Sequence, residues 1–203
     1  MTNPRVWYLA GIGFCHGFAT YTFNFWLPQI LKGALGGPSF TAIGVAVMIP
    51  NAAGLIAMIA VARYSDRTLE RGRLMAFSGT VAGIAMMLLG APRSPFWTIV
   101  LFSVVAMGAY SFLPVFFAIP SDFLRGVDAA VGIAIITSIA NLGGFVGPYT
   151  VGVIRQTTGS SYYGLVCAGA FFLFAAALAS VFARQFGSRV RPVDPAGAPP
   201  RSR

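Results

Sequence analysis

Six long apolar runs, separated by short polar segments, dominate the pattern of hydrophobic and polar positions along this chain. Each run is close to or above the length of about 18–20 residues that an α-helix needs to cross a hydrocarbon core about 30 Å thick. Within that core the backbone polar groups must be satisfied inside each helix, because no water reaches them. The pattern therefore predicts an all-α membrane protein with six transmembrane helices. The predicted helices span about residues 6–31, 41–62, 74–91, 96–119, 129–154 and 163–183.

Composition favours the same class of protein. Charged residues make up 9% of the chain and hydrophobic residues 57%, whereas a soluble domain carries about 25% charged residues. The formal net charge of +9 would suggest nucleic acid in a soluble protein. Here the cations lie between the apolar runs and in the tail, so we expect a lipid bilayer and no nucleic acid as partner. Residues 1–187 are predicted to form the bundle, and residues 188–203 a disordered, basic, Pro-rich cytoplasmic tail.

The distribution of cations predicts the orientation of the chain. If the loops are assigned alternately to the two sides, 11 cations lie on one side, and Lys32, Arg93 and Arg155 lie on the other. Cytoplasmic loops carry the excess of Lys and Arg. We therefore expect a multi-pass protein of the inner (plasma) membrane with both termini in the cytoplasm.

The last three runs resemble the first three. Runs one and four share a polar residue four positions before the proline of a Leu-Pro pair, and runs two and five share the pattern Asn-x-x-Gly. Three-helix repeats of inverted topology are typical of secondary transporters, with interrupted helices nearest the binding site. The similarity predicts a 3+3 inverted repeat, although chance similarity among apolar sequences is an alternative. The matching segments are residues 24–28 with 110–114, and residues 51–54 with 141–144.

A polar stripe follows one face of run one. His16, Thr20 and Asn24 are spaced four residues apart, so they share a helix face. Polar groups in hydrocarbon are costly, so the stripe must either pack against other helices or line an aqueous cavity. The only histidine could carry a coupling proton, because histidine changes charge near neutral pH; a neutral, hydrogen-bonded histidine is the alternative. Tyr21 and Pro28 fall near the stripe, whereas the opposite, predicted lipid-facing side carries Phe14, Phe18 and Phe25.

These patterns nominate five side chains for contact with a solute, and further residues for packing. Gly143 and Gly147 of run five form a small-xxx-small face that allows close helix approach, and Pro148 removes a helical hydrogen bond. Pro28, Pro114 and Pro120 are predicted to bend their helices. The candidate solute contacts are His16, Tyr21, Asn24, Tyr110 and Asn141.

Patterns typical of enzymes and metal sites do not occur in the sequence. There is no His-Glu-x-x-His, Cys-x-x-Cys or Gly-x-Ser-x-Gly segment, and all five acids lie between the runs or near their ends. We therefore expect neither an enzyme nor a cofactor or metal.

The loop after run two carries an ordered set of charges. Asp66 and Arg67 are followed by Arg71-Gly72-Arg73. This order resembles the charged loop motif between paired helices of major facilitator superfamily transporters. The resemblance implies that Asp66, Arg67 and Arg71 form a conformational latch, which holds the cytoplasmic ends of the helices together in the outward-open state.

Three stretches narrow this resemblance to one branch. Residues 15–31, 65–71 and 141–160 are similar to the second half of anion:cation symporters, which include phthalate- and tartrate-permease-like proteins. The resemblance implies helices seven to twelve of a twelve-helix transporter. Its activity would be uptake of a small organic anion (a carboxylate or sugar acid) with a coupling cation, usually H+, by alternating access. The partner would be a missing N-terminal six-helix half or a second copy. An inactive truncated fragment and a non-transporting membrane scaffold are the alternatives.

Overall fold

The described part of the chain forms six helices, as the apolar runs predicted. A computed structural model describes residues 4–37, 39–68, 70–89 and 94–186. The predicted tail, residues 188–203, lies outside the described residues. The helices are α1 (Pro4–Ala34), α2 (Phe40–Thr68), α3 (Arg71–Leu88), α4 (Pro95–Phe123), α5 (Gly126–Thr158) and α6 (Tyr162–Phe186).

Four of the described helices are long and apolar enough to cross a membrane by length and composition alone. These are α2, α4, α5 and residues Tyr162–Gln185 of α6. In α1, the polar stripe of the sequence lowers the mean hydropathy. In α3, Arg71 and Arg73 occupy the first turn of a helix of only 18 residues. The two less apolar helices pack against more apolar ones, which is how polar groups are accommodated inside a membrane bundle.

The bundle is assembled by contacts between the two sequence triplets. Helix α1 packs against α5 and α6, α4 packs against α2 and α3, and α3 packs against α6. Two apolar clusters fill the interior: one contains Phe23, Phe102 and Phe172, the other Leu9 and Phe112. Among these four apolar helices, α2 and α5 bury the smallest share of their most apolar segments, 17% and 22%. These two helices therefore offer the most surface to lipid or to a partner.

Helices α1 and α5 approach each other at glycine positions. A Cβ added at Gly143 would collide with the Phe14 carbonyl group, and one at Gly147 with that of Phe18. On the facing helix, a Cβ at Gly17 would collide with the Ala140 carbonyl oxygen. Because Phe14 lies beside Gly143 and Phe18 beside Gly147, the two helices run parallel. In lipid, where apolar surfaces gain little from leaving the solvent, such close contact is a main source of helix association.

The predicted lipid face of α1 is wrong at one position. Phe18 is buried, with its ring stacked on Phe171 of α6 at 3.9 Å between centroids. Phe25 is exposed, as a lipid-facing side chain would be. Helix α1 lies between α5 and α6, so two of its sides are covered, and helical periodicity alone could not indicate the second neighbour.

Replacing Gly147 by alanine should destabilise the bundle, whereas the same replacement at Gly152 should not. A Cβ at Gly147 meets the backbone of α1, while one at Gly152, in the same helix, meets nothing within 4 Å. Overpacking costs about 1–3 kcal/mol. We expect Gly147→Ala to unfold several degrees below Gly152→Ala when the 203-residue chain is heated in detergent and followed by intrinsic fluorescence. Equal midpoints for the two variants would contradict the close crossing.

Candidate functional site

Five polar side chains from four helices lie near the middle of their helices and define the mid-membrane polar cluster. Tyr21 and Asn24 come from α1, Asn51 from α2, Tyr110 from α4 and Asn141 from α5. Three of them are exposed in this six-helix unit, and the other two are partly buried. A polar group exposed at this depth is expensive unless it faces a cavity or another protein surface.

One part of the cluster joins α1, α2 and α4. The Tyr110 hydroxyl oxygen lies 2.8 Å from Asn24 Oδ1 and 2.6 Å from Asn51 Oδ1. Each asparagine also donates from Nδ2 to the carbonyl oxygen four residues earlier, at 2.9 Å, in Thr20 and Val47 respectively. These bonds fix the orientation of both amides, with both Oδ1 atoms towards the tyrosine.

The other part of the cluster joins α1 and α5. The Tyr21 hydroxyl donates to Asn141 Oδ1 at 3.2 Å. The ring of Tyr21 covers Gly144, where an added Cβ would stand 2.7 Å from a ring carbon. Tyr110 covers Gly54 in the same way, and a Cβ added at Gly54 would stand 2.5 Å from a carbon of its ring. The glycine of each Asn-x-x-Gly segment therefore makes room for a tyrosine ring, while the asparagine three residues earlier accepts the hydroxyl proton.

These two contacts are related by the internal repeat. Tyr21 of the first triplet contacts Asn141 and Gly144 of the second, and Tyr110 of the second triplet contacts Asn51 and Gly54 of the first. Exchange of partners in both directions is the relation expected of a 3+3 inverted repeat. By these contacts, Tyr21 is the equivalent of Tyr110 in the repeat. The alignment of the two Leu-Pro pairs had instead indicated Asn24, three residues later.

His16 lies apart from this cluster in the packed interior. Its Nε2 is 3.0 Å from the Ala109 carbonyl oxygen, and its ring stacks on Phe112 at 4.2 Å between centroids. Thr20 Oγ1 lies 3.4 Å from the ring nitrogens. The side chain is buried, so this structure favours the hydrogen-bonded, packed alternative for His16.

The predicted proline positions lie inside continuous helices. Pro28 is in α1, Pro114 and Pro120 are in α4, and Pro148 is in α5. Pro50, which the sequence reasoning did not single out, lies in α2 directly before Asn51. Each proline removes one helical hydrogen bond, and all five cluster residues lie within seven positions of one.

At the other candidate site, Arg71 joins the start of α3 to the end of α4. Its Nη1 forms an ion pair with Asp122 and donates to the Ala118 carbonyl oxygen at 2.9 Å. Arg71 is the first residue of α3 and Asp122 lies in the last turn of α4. Each charge therefore sits at the unfavourable end of its own helix, and the ion pair compensates both. Asp66 and Arg67 are exposed and form no ion pair with another described residue.

Two residues of these sites were not identified from the sequence as site residues. Asn51 was noted only as part of the repeat, and its equivalence to Asn141 was the available signal. Asp122 was recorded as one of five acids, and nothing near it in the sequence indicates Arg71, which is 51 positions away.

Comparisons with known proteins agree with this architecture. The family model of the Major Facilitator Superfamily matches residues 9–202. A peptide transporter POT, solved as its E310Q mutant in complex with sulfate, superimposes with a TM-score of 0.77 over 94% of this chain and 41% of that protein, at 19% sequence identity. At that identity the likeness shows the fold.

Three curated relatives are transporters by name. A "Quinolone resistance transporter" of Acinetobacter baumannii is 38% identical over 76% of this chain and 35% of its own length. A "Putative tartrate transporter" of Agrobacterium vitis is 36% identical over 91% of this chain and 40% of its own length. The "Putative metabolite transport protein NicT" of Pseudomonas putida is 34% identical over 84% of this chain and 39% of its own length.

The chain therefore spans about two fifths of the length of the curated relatives it matches. The match over residues 9–202 and the six-helix architecture confirm the family that the charged loop and the repeat indicated, and the tartrate-transporter name agrees with the anion:cation branch. This multi-pass membrane chain belongs to the Major Facilitator Superfamily.

Proposed function

We propose that the chain is the C-terminal six-helix half of a transporter that moves a small organic anion across the inner membrane by alternating access. The observation that carries the proposal is the mid-membrane polar cluster, which lies at the depth where a solute would be held and is exposed in the isolated six-helix unit. Relatives that span more than twice this length, one of them named as a tartrate transporter, support a carboxylate or sugar acid as solute. We propose that a first six-helix half, or a second copy, completes the cavity.

Within this proposal the polar cluster makes neutral hydrogen bonds to the solute. The described acids are all near helix ends, and Lys32 and Arg155 lie in the last turns of α1 and α5. A solute carboxylate at the level of the cluster would therefore meet amides and hydroxyls from this half, and its charge would be balanced by the other half. We propose H+ as the coupled cation, because the resemblance to anion:cation symporters implies coupling to a cation, usually H+. Since His16 is packed in the interior, we assign the proton carrier to the other half as well.

The proposed orientation places both termini in the cytoplasm, in agreement with the excess of cations on that side. The Arg71–Asp122 pair then lies at the cytoplasmic end of the bundle. We propose that this pair, rather than a bond between Asp66 and Arg67, is the part of the latch that acts within this half. Asp66 and Arg67, both exposed, are left to contact the other half in the outward-open state.

The competing hypothesis is that the chain is an inactive fragment of such a transporter. It is supported by the same observation, that the chain matches about two fifths of the length of each relative. Reading the DNA upstream of the first codon separates the two. An intact reading frame for six further helices supports a split transporter, whereas a disrupted frame supports an inactive fragment.

Fusion to a first half should produce a working transporter. The N-terminal six-helix half of the Agrobacterium vitis relative, joined in front of this chain, should take up labelled tartrate into proteoliposomes when the outside is more acidic. The 203-residue chain alone should not, because half of the cavity wall is absent. Uptake by the chain alone would show that no other half is needed. Failure of a folded fusion to move tartrate or succinate would contradict the proposed function.

Replacing Asn24 or Asn141 by alanine in this fusion should raise KM for the solute. Loss of one hydrogen bond weakens binding by about 0.5–1.5 kcal/mol, or about 2–10-fold. Thr150→Ala is the matched control, since Thr150 is a polar residue of α5 whose hydroxyl, among the described residues, bonds only to the Val146 carbonyl of its own helix. An unchanged KM in both asparagine variants would remove these residues from the solute site.

Neutralising Asp122 should weaken the cytoplasmic latch. Asp122→Asn removes the charge that faces Arg71, and hydrogen bonds to charged groups are worth about 1.5–3 kcal/mol. We expect slower tartrate uptake by the fusion, with partial recovery in the charge-exchanged double variant Arg71→Asp, Asp122→Arg. Glu70→Gln is the control, because it breaks the exposed Arg73–Glu70 pair within one turn. If Glu70→Gln and Asp122→Asn slow uptake equally, the role of the α3–α4 pair is refuted.

A further inference from the structure

We propose that Asn24 Oδ1, Asn51 Oδ1 and the Tyr110 hydroxyl oxygen form a subsite that accepts a hydrogen bond from a hydroxyl group of the solute. We call these three oxygen atoms the acceptor triad. The inference rests on the proposed function and adds to it the feature of the solute that this half selects. It also gives Asn51 a role in specificity.

The two amides of the triad are held in one orientation. Asn24 Nδ2 donates to the Thr20 carbonyl and Asn51 Nδ2 to the Val47 carbonyl, each at 2.9 Å. Turning either amide around would place its oxygen against a carbonyl oxygen at the same distance, where both atoms are acceptors. Both Oδ1 atoms are therefore held towards Tyr110.

The two contacts of the triad share a single proton. Two oxygen–oxygen contacts, of 2.8 and 2.6 Å, meet at the Tyr110 hydroxyl. A tyrosine hydroxyl carries one proton and can donate it fully to only one acceptor, and an asparagine oxygen has none to give. The triad is thus one proton short, and one asparagine oxygen keeps a free acceptor position. A donor supplied by the solute removes this deficit.

The chemistry of the triad limits which group of the solute can be its partner. A carboxylate offers only acceptor oxygens and would be repelled by the triad. A bare cation would lose its hydration among three uncharged groups, because no described acidic residue lies at this depth of the bundle. A hydroxyl group is neutral and supplies the one missing proton to the asparagine oxygen to which Tyr110 does not donate. Among the groups of a small organic anion, it fits the triad best.

Asn141, which forms the other part of the cluster with Tyr21, has the opposite hydrogen-bonding character. Asn141 uses its Oδ1 to accept from Tyr21, while its Nδ2 has no bond to another described residue and so offers donors to a solute oxygen. Helix α1 joins the two parts of the cluster, because Tyr21, which contacts Asn141, and Asn24, which belongs to the triad, lie three positions apart on the same helix. An acceptor site and a donor site in one cluster suit a short hydroxycarboxylate, with its hydroxyl on the triad and its carboxylate towards Asn141.

Tartrate and succinate provide a matched test, because they have the same carbon chain and charge and differ in their hydroxyl groups. The fusion transporter is measured for the KM of labelled tartrate and for the inhibition constant of succinate. We expect succinate to bind about tenfold more weakly, the size of one net hydrogen bond. Asn51→Leu should reduce this ratio to near one. Asn141→Leu should weaken both ligands and keep the ratio. If Asn51→Leu does not reach the membrane, Asn24→Leu removes the other acceptor.

Tyr110→Phe tests the direction of the hydrogen bond. This change removes the one proton of the triad and leaves both Oδ1 atoms free to accept, so the preference for tartrate should persist. Loss of the preference in Tyr110→Phe would mean that the solute accepts from Tyr110, and would overturn the inference.

Three other results would overturn it too. One is a ratio near one in the unmodified fusion that still takes up tartrate, which leaves the proposed function intact. Another is an unchanged ratio in both Asn51→Leu and Asn24→Leu. The third is a requirement for Na+ that disappears in Asn51→Leu, which would assign the triad to a cation. A fusion that moves neither ligand would refute the proposed function together with the inference.

Discussion

The close crossing of α1 and α5 is the contact on which the rest of the bundle depends. Helices in lipid gain little by hiding apolar side chains from one another, so association relies on tight packing and on interhelical hydrogen bonds. Here the carbonyl groups of Phe14 and Phe18 lie where Gly143 and Gly147 have no side chain. The crossing sets the distance at which Tyr21, one turn beyond Phe18 on α1, reaches Asn141 of α5. Phe18 is turned towards α6, and Asn24, on another side of α1, faces Tyr110 of α4.

The same contact is used a second time between α2 and α4, but with one difference. In both crossings a tyrosine ring lies on the glycine of Asn-x-x-Gly, and its hydroxyl reaches the asparagine three residues earlier. Only the second crossing has a third member, because Asn24 also reaches Tyr110. An exact repeat would give two equivalent sites, each with one donor for one acceptor. The additional asparagine breaks that equivalence and creates a surplus of acceptors on one side of α1.

The sequence was sufficient for the six helices because each apolar run is long and bounded by polar residues, and both signals are local. It also identified the Asn-x-x-Gly segments and the glycine face of α5. It could not identify neighbours. The burial of Phe18 depends on α6 lying beside α1, and Arg71 finds Asp122 only after α3 and α4 have packed. The register of the repeat shifted for a similar reason: the Leu-Pro pairs suggested Asn24 as the equivalent of Tyr110, whereas the hydrogen bonds select Tyr21, one turn earlier.

The distribution of charge in this six-helix bundle agrees with a polar cluster that consists of amides and hydroxyls. Within the described helices the charged side chains lie towards the ends, where water and lipid headgroups can solvate them. A fixed charge at mid-depth would hold an anion or a cation strongly whether or not the rest of the molecule fitted. Neutral groups discriminate instead by the number and direction of hydrogen bonds, since a mismatched donor or acceptor is left unpaired. A transporter that divides the work in this way can hold the charge of its solute with one half and read its hydroxyl pattern with the other. Under the proposed function, the surplus acceptor at Asn24 and Asn51 is where this bundle recognises a hydroxyl group.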